Sequence, residues 1–336
     1  MPRPLEGVRV LDFTRLLPGA YATLLLADLG ADVIKIEDPR GGDGMRSLRT
    51  SDRRPYFELL NRNKRSVTLN LRSPESRPVI DALAAIADVT IDSFRPSTAR
   101  RLGVDGATLR ARHPRLVCAS ISGFGQSGPL AEVAAHDINY QALAGLIRPP
   151  AAPGPLVADV GAAMQASIAI LAALIERQQT GIGSIVEVSI GGAAHAWAMF
   201  PTTMELESAC YALYETADHE WVALGALEPK FWRAFCEGIG RGDLIPYHHA
   251  SGAEGERVFG EIRKVMRTRT VDDWLTRFSG VDACLTRVAP RVFERERASE
   301  YDLPAAPALG ADTHAVLDLA GFDAARREAL RRSGVI

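Results

Sequence analysis

The chain has 336 residues, 47% of them apolar and 24% charged, with a formal net charge of −2. That is ordinary globular composition, long enough for two hydrophobic cores, and it argues against a disordered or low-complexity chain. Arg is frequent but interleaved with acids, so no clustered basic face marks a nucleic-acid partner. Cys118, Cys210, Cys236 and Cys284 lie far apart, with no CxxC and no His at ligand spacing, and read as idle or buried thiols of a reducing compartment. No charged–apolar–small segment opens the chain, the longest apolar runs read as too short to span a bilayer, and Ser333–Ile336 is not a peroxisomal address. The expectation is a cytoplasmic protein with no membrane and no nucleic-acid partner.

In chain order, Val8–Phe13 reads as a strand and Leu16–Ala20 as a turn through Pro18 and Gly19. Tyr21–Leu29 reads as a helix stopped at Gly30, and Ala31–Glu37 as the next strand. This is a βαβ unit and implies a parallel sheet. Further strands are expected at Ser66–Leu71, Val89–Asp92 and Leu116–Ile121, with a helix from Ser73 to Ala87 between the first two. Strands alternating with helices over the first 120 residues predict a doubly wound α/β domain. The turn at Pro18-Gly19 is not GxGxxG and no GxxxxGK[ST] occurs, so neither a nicotinamide or flavin cofactor nor ATP is implied.

Gly123–Tyr140 (GFGQSGPLAEVAAHDINY) is the most unusual stretch. Gly123, Gly125, Gly128 and Pro129 exclude a regular strand or a helix interior. The loop ends in His136-Asp137-Ile138-Asn139-Tyr140, just before an apolar run that reads as a helix. A titratable His and a carboxylate are thus delivered to a helix start, whose free N–H groups favour a developing oxyanion. An ordinary loop capped by Asp137 is the plainer alternative. A Pro-rich joint, 148–155, precedes a long apolar helix with the register Met164, Ile168, Leu171, Leu174, Ile175. Asp159 stands at its entrance, where N-capping is the ordinary use of Asp. Ser184–Ser189 reads as a strand. Beyond residue 190, Tyr211–Leu224 reads as a hairpin and Pro229 as a first-turn residue of a helix. Residues 257–280 read as amphipathic helices and the tail as two more. His195, His219, His248 and His249 read as surface or core residues.

These residues together resemble family III CoA-transferases, the CaiB/BaiF group, and within it the branch that racemises α-methylacyl-CoA thioesters. The resemblance is carried by Leu5–Asp12, Pro18-Gly19, Leu26–Glu37, Gly41–Asp43 with Arg46, and Asn63–Leu71. It continues through Phe94–Pro96, Arg101–Gly103, Gly123–Gly128, His136–Tyr140, Ala158-Asp159, Gly181–Val188 and Gly225–Trp232. It implies an α/β fold with a Rossmann-like, doubly wound large domain (1–195 and 305–336) and a smaller α/β domain (200–300). It also implies an interlocked homodimer whose active site lies between the large domain of one chain and the small domain of the other.

The resemblance implies further that Asp159 is either of two things. In the CoA-transferases the matching Asp is a nucleophile that forms an anhydride and then an aspartyl thioester. In the racemases it is one of two acid/base groups, the other being His136, with Glu228 orienting or charge-balancing the site. CoA contacts carry over to Asn70, Arg72, Phe94, Arg95 and Arg101, and to Ala135, Asp137 and Tyr140 around the His. Ala135 replaces the usual Gly, and Asp38 stands where racemases often have Arg, leaving Arg40 to substitute. The segments after Ser189 and after Glu300 are shorter than in typical members. The expectation is an acyl-CoA racemase or epimerase acting on a 2-methyl acyl-CoA, with a CoA-transferase as the alternative and an acyl-CoA binder as a third class. No metal and no cofactor beyond the CoA of the substrate is implied.

Overall fold

The computed structural model describes residues 3–49, 56–147, 149–150, 153–199, 208–289 and 305–336. The chain divides into two compact units, Met1–Phe200 with Glu296–Ile336, and Pro201–Arg295. The first unit runs β1 (Arg9–Asp12), α1 (Leu16–Asp28), β2 (Asp32–Glu37), α2 (Tyr56–Leu60), β3 (Lys64–Thr68), α3 (Ser76–Ala85), β4 (Val89–Asp92), α4 (Pro96–Leu102), α5 (Gly106–Arg112), β5 (Val117–Ser122), α6 (Asp137–Leu143), α7 (Val157–Thr180), β6 (Ile185–Ser189) and α8 (Ile190–Ala198). The second unit holds β7 (Tyr211–Glu215), β8 (Trp221–Gly225), α9 (Pro229–Gly238), α10 (Gly252–Met266), α11 (Val271–Arg277) and β9 (Leu285–Arg287). The chain then returns to the first unit with α12 (Thr313–Leu319) and α13 (Ala324–Arg332). The shortened segments expected after Ser189 and Glu300 fall partly on 200–207 and 290–304, outside the described residues.

Six strands form one sheet in the order β3-β2-β1-β4-β5-β6, every neighbouring pair parallel. The order reverses between β1 and β4, which is the doubly wound pattern with its switch point there. Strand alternation sorts the side chains onto two cores. Val10, Val33, Val89, Val117, Ala119 and Ile121 pack with α1 and α7 on one face. Leu11, Ile34, Ile36, Val67 and Cys118 pack with α3, α12 and residues near the C-terminus on the other. Both faces of the central strands are covered, so β4 and β5 are buried throughout.

Three expectations are revised. First, α1 begins at Leu16 and not at Tyr21, so Pro18 and Gly19 lie inside its first turn. Pro is tolerated there because its missing N–H has no helical partner. Gly19 is required by close approach: a Cβ on it would stand 2.2 Å from Thr14 Cβ.

Second, of the register Met164, Ile168, Leu171, Leu174, Ile175 only Leu174 lies on the buried face of α7. Ala158, Ala162, Ala163, Ala166, Ser167 and Ile170 are buried instead. Small residues let α7 lie close to α1, where Ser167 Oγ donates to Ala22 O at 3.2 Å.

Third, α7 spans 24 residues with a mean hydropathy of 1.8 over its most apolar stretch. By length and composition it is able to cross a membrane, contrary to the expectation that no apolar run is long enough. Half of that stretch is buried within the first unit.

The second unit is a three-stranded antiparallel sheet, β7-β8-β9, packed on α9, α10 and α11. Its core is aromatic, with Trp232, Phe235, Trp274 and Tyr214 fully buried. The hairpin expected at Tyr211–Leu224 is β7–β8, paired from Tyr211↔Gly225 to Glu215↔Trp221.

Candidate active site

The switch point carries a cleft of about 750 Å³. Its walls come from the segments leaving the C-terminal ends of the strands: Arg15 after β1, Asp38 after β2, Leu69–Pro74 after β3 and Phe94 after β4. Ligands of open α/β sheets bind at this position, because two crossovers leaving in opposite directions open a crevice. Four of the residues singled out for CoA line it: Asn70, Arg72, Phe94 and Arg101. Arg15, whose guanidinium lies 5.4 Å from the Phe94 ring centroid, joins them. Arg15 was not singled out in the sequence, although its place directly after β1, at the reversal of strand order, was the available signal. Asp38 holds Arg40, Nε to Oδ1 at 3.2 Å, and its carboxyl lies below the usual range because Arg40 bonds to it. Arg40, expected to stand in for a missing Arg, does not line the cleft.

The β1–α1 turn that leads to Arg15 is pinned by buried charge. Asp12 at the end of β1 accepts from Thr14 N–H at 2.9 Å and from Thr23 Oγ1 at 2.6 Å. Lys64 Nζ stands 3.4 Å from the same carboxylate and donates to Thr23 Oγ1, Ala20 O and Asn61 Oδ1 at 2.8–2.9 Å. Lys35 Nζ donates to Thr14 O at 2.9 Å and pairs with Asp43 at 3.0 Å. Every member is fully buried or nearly so, and such groups are tolerated only when paired in this way. The network ties the β1–α1 turn to β2 and β3. Glu37 and Arg46, also within the resemblance, form a two-point pair at 2.7 Å and close the neighbouring turn.

The glycine loop after β5 is strapped at two points. Gln126 Nε2 donates to Ser120 Oγ at 2.7 Å. Glu132 accepts from Ser97 N–H at 2.8 Å and from Ser97 Oγ at 2.7 Å at the start of α4. Gly125 and Gly128 have φ of +93° and +96°, conformations only glycine adopts freely. The loop then delivers His136 as the residue preceding α6. His136 is exposed, its backbone is extended, and its N–H donates to Asn139 Oδ1 at 3.0 Å.

Asp137, next in the chain, is buried and reaches across to α7. Its Oδ1 accepts from Asp159 N–H at 2.9 Å, and its other oxygen accepts from Gln141 Nε2. Gln141 also donates to Pro155 O at 3.0 Å, just ahead of α7. The start of α7 is therefore capped by a carboxylate from α6. Asp159, for which N-capping was the plainer role, lies within the first turn of α7, while Leu156 occupies the cap position. An interaction of this kind is worth about 1 kcal/mol.

Asp159 is half-buried, and its carboxyl is pushed up to about 7, first by burial and second by the negative charge of Asp137. A carboxyl at that value both takes and returns a proton near neutral pH.

Tyr140 is buried between Phe124, with ring centroids 5.1 Å apart, and Gly123. Its hydroxyl points at Ala135 O, 3.4 Å away, so Tyr140 and Ala135 brace the loop. Burial and then Asp159 push this phenol up to about 12, while Arg95 pulls it down. Arg95 precedes α4 and does not line the cleft; its charge is felt on the Tyr140–Asp159 side. Asp92, at the end of β4, was not singled out in the sequence. Burial pushes it up to about 7, while it accepts from Phe94 N–H at 3.0 Å. The first unit thus ties Asp137 to the backbone of Asp159, with His136 preceding Asp137 in the chain and Ala135 and Tyr140 bracing the loop. Glu228 belongs to the second unit, where it precedes α9 with Pro229 at the first helical position.

Residues 5–301 match the family model described as CoA-transferase family III. The chain is 31% identical over 308 residues to the human α-methylacyl-CoA racemase, covering 84% of this chain and 77% of that one. It is 34% identical over 281 residues to the succinyl-CoA–D-citramalate CoA-transferase of Chloroflexus aurantiacus, covering 76% and 70%. Among solved structures it resembles a CaiB/BaiF family protein from Brucella suis, with a TM-score of 0.77 at 25% identity over 95% of this chain and 100% of the other. With the six-stranded parallel sheet and these matches in hand, the chain belongs to CoA-transferase family III.

Proposed function

We propose that the protein is an acyl-CoA racemase or epimerase acting at the α-carbon of a 2-methyl-branched acyl-CoA thioester. The observation that carries this reading is the Asp159 carboxyl, held near neutrality on the first turn of α7 and bonded through its own N–H to the residue that follows His136. Racemisation needs two proton carriers. In one direction Asp159 takes the Cα proton, the electron pair passes into the thioester as an enolate, and His136 returns a proton to the opposite face. The reverse direction exchanges the roles. A carboxyl that stayed low would be a poor acid, and one far above neutrality would not ionise; a value of about 7 suits both directions. The CoA portion occupies the switch-point cleft, where Arg15, Arg72 and Arg101 supply forked donors to its phosphates. Nothing in this chemistry calls for a metal or redox cofactor. We take the active form to be a homodimer.

A CoA-transferase is the second reading, favoured by the transferase relatives at comparable identity. In that reaction Asp159 attacks the thioester carbonyl, CoA leaves as a thiolate, and an aspartyl anhydride results. One experiment separates the two. The protein is incubated in D₂O with a 2-methylacyl-CoA and Cα is followed by proton NMR. Racemase chemistry places deuterium at Cα with the thioester intact, and His136→Ala abolishes inversion, leaving at most exchange with retention on the Asp159 face. No exchange, together with CoA passing to an added free acid, overturns the proposal in favour of the transferase.

A further inference from the structure

In the second unit, folding brings a cysteine beside two histidines that are adjacent to each other in the chain but far from it in sequence. Cys210 Sγ and one ring nitrogen each from His248 and His249 lie within 4.8 Å of one another. Cys210 sits at the turn into β7, and the two histidines follow the 3₁₀ turn Gly242–Tyr247. Cys210 and His248 are buried, whereas His249 reaches solvent.

The cluster is braced from behind. Ala226 N–H donates to Cys210 O at 2.8 Å, and Ala226 O stands 2.8 Å from His248 Nε2. A carbonyl only accepts, so Nε2 carries the proton and Nδ1 is left with its lone pair. A ring with one N–H tied to a backbone carbonyl and the other nitrogen free is the arrangement that orients metal-bound histidines. Trp232 stacks on His248 with centroids 5.5 Å apart at 14°, and Trp232 Nε1 donates to Ile245 O at 3.1 Å, fixing the turn that presents the ring. Ser208 Oγ lies 3.0 Å from Cys210 Sγ. His249 is stacked on His248 at 3.9 Å. Because it is exposed, core packing does not account for its place in the cluster.

We propose that Cys210, His248 and His249 form a binding site for a divalent ion of the zinc class, with the fourth position open to water. One thiolate and two imidazoles suit zinc and reject magnesium and calcium, which take oxygen ligands. Tetrahedral zinc sets neighbouring nitrogen and sulfur ligands about 3.4–3.7 Å apart. Rotation of the exposed His249 ring is the least costly way to close the remaining gap. On binding, the Cys210 S–H bond breaks, its proton goes to solvent, and sulfur donates its electron pair to the ion. The imidazoles stay neutral. The proton-transfer chemistry proposed for the first unit does not depend on this ion.

The test is Co²⁺ titration of the chelator-treated full-length protein, followed by absorbance. It is run in a Cys284→Ser background to remove the one exposed thiol. The expected result is one ion per chain, with tetrahedral d–d bands, a sulfur-to-cobalt charge-transfer band, and displacement by Zn²⁺. Cys210→Ser loses the charge-transfer band. His249→Ala, at an exposed position that leaves folding intact by circular dichroism, weakens binding at least about tenfold. The proposal is overturned if no saturable binding occurs, if the charge-transfer band survives Cys210→Ser, or if affinity is unchanged in His249→Ala.

Discussion

Asp159 shows how two neighbours set the chemistry of one residue. Burial and the adjacent Asp137 charge raise its carboxyl from 3.8 to about 7. The sign of the resulting stability effect follows from proton counting. Below the unfolded value both states are protonated and nothing is lost. Between about 4 and about 7 the folded chain holds a proton that the unfolded chain has released, so stability falls as pH rises. Above about 7 the full cost of an ionised, half-buried carboxylate is present. Asp159→Asn is therefore expected to stabilise the protein by about 1–2 kcal/mol at pH 8, a figure reduced for the partial exposure of the group. The gain should vanish near pH 4. Urea unfolding at the two pH values checks this, and an equal gain at both would contradict it.

Arg101 makes the opposite kind of case, because it is exposed at the C-terminal end of α4 and has little to contribute to folding. If it holds a CoA phosphate, Arg101→Ala removes a charge-assisted contact of about 1.5–3 kcal/mol, or about 10–100-fold in KM. kcat and the unfolding midpoint should hardly move. An unchanged KM would remove Arg101 from the CoA site.

Among the elements, the position of α6 rests on one small residue. Gly123 leaves β5 directly against Tyr140: a Cβ there would stand 2.4 Å from the Tyr140 hydroxyl oxygen and 3.4 Å from the ring carbon that carries it. Tyr140 lies on α6 one turn after His136. Gly123→Ala must therefore push on α6, at a cost of about 1–3 kcal/mol, and disturb with it the bond from Asp159 N–H to Asp137. Tyr140→Phe deletes the clashing oxygen and gives up only a long contact of 3.4 Å to Ala135 O. In the double variant most of the lost stability should return. A double-mutant cycle by chemical denaturation measures the coupling; purely additive effects would mean that α6 is not positioned through this contact.

At the scale of the whole chain, the alternation of strands and helices was legible because both faces of a parallel sheet are buried and the strands cannot hide their apolar runs. The glycine loop was legible because backbone conformation dictates composition there. The reach of Asp137 to Asp159 was not, since it joins two helix starts 22 positions apart. The cluster of Cys210 with His248 was not either, since only folding brings them together.

Helix α7 departs from its apolar register for a different reason: apart from Ile170 and Leu174, its buried residues are small ones. Ala158, Ala162, Ala163 and Ala166 face the sheet, where space is short, while Met164, Ile168 and Ile175 stand 46–67% exposed at a helical repeat, with Leu171 partly buried on the same stripe. Ile182 and Ile185 add to this apolar surface, and β6 is the edge strand beside it. An apolar stripe of this length left in water marks an interaction surface. The proposed homodimer supplies an occupant for it, and in a two-fold interface a single change acts twice. Burying an isoleucine contributes about 1.5–3 kcal/mol, and a carboxylate in its place would have to be buried unpaired. Ile168→Asp is therefore expected to shift the protein from dimer to monomer in sedimentation velocity, with its far-ultraviolet circular dichroism unchanged because Ile168 contributes little to the core of its own chain. A wild-type protein that sediments as a monomer, or a variant that sediments as the wild-type dimer does, would assign this stripe to something other than a second copy.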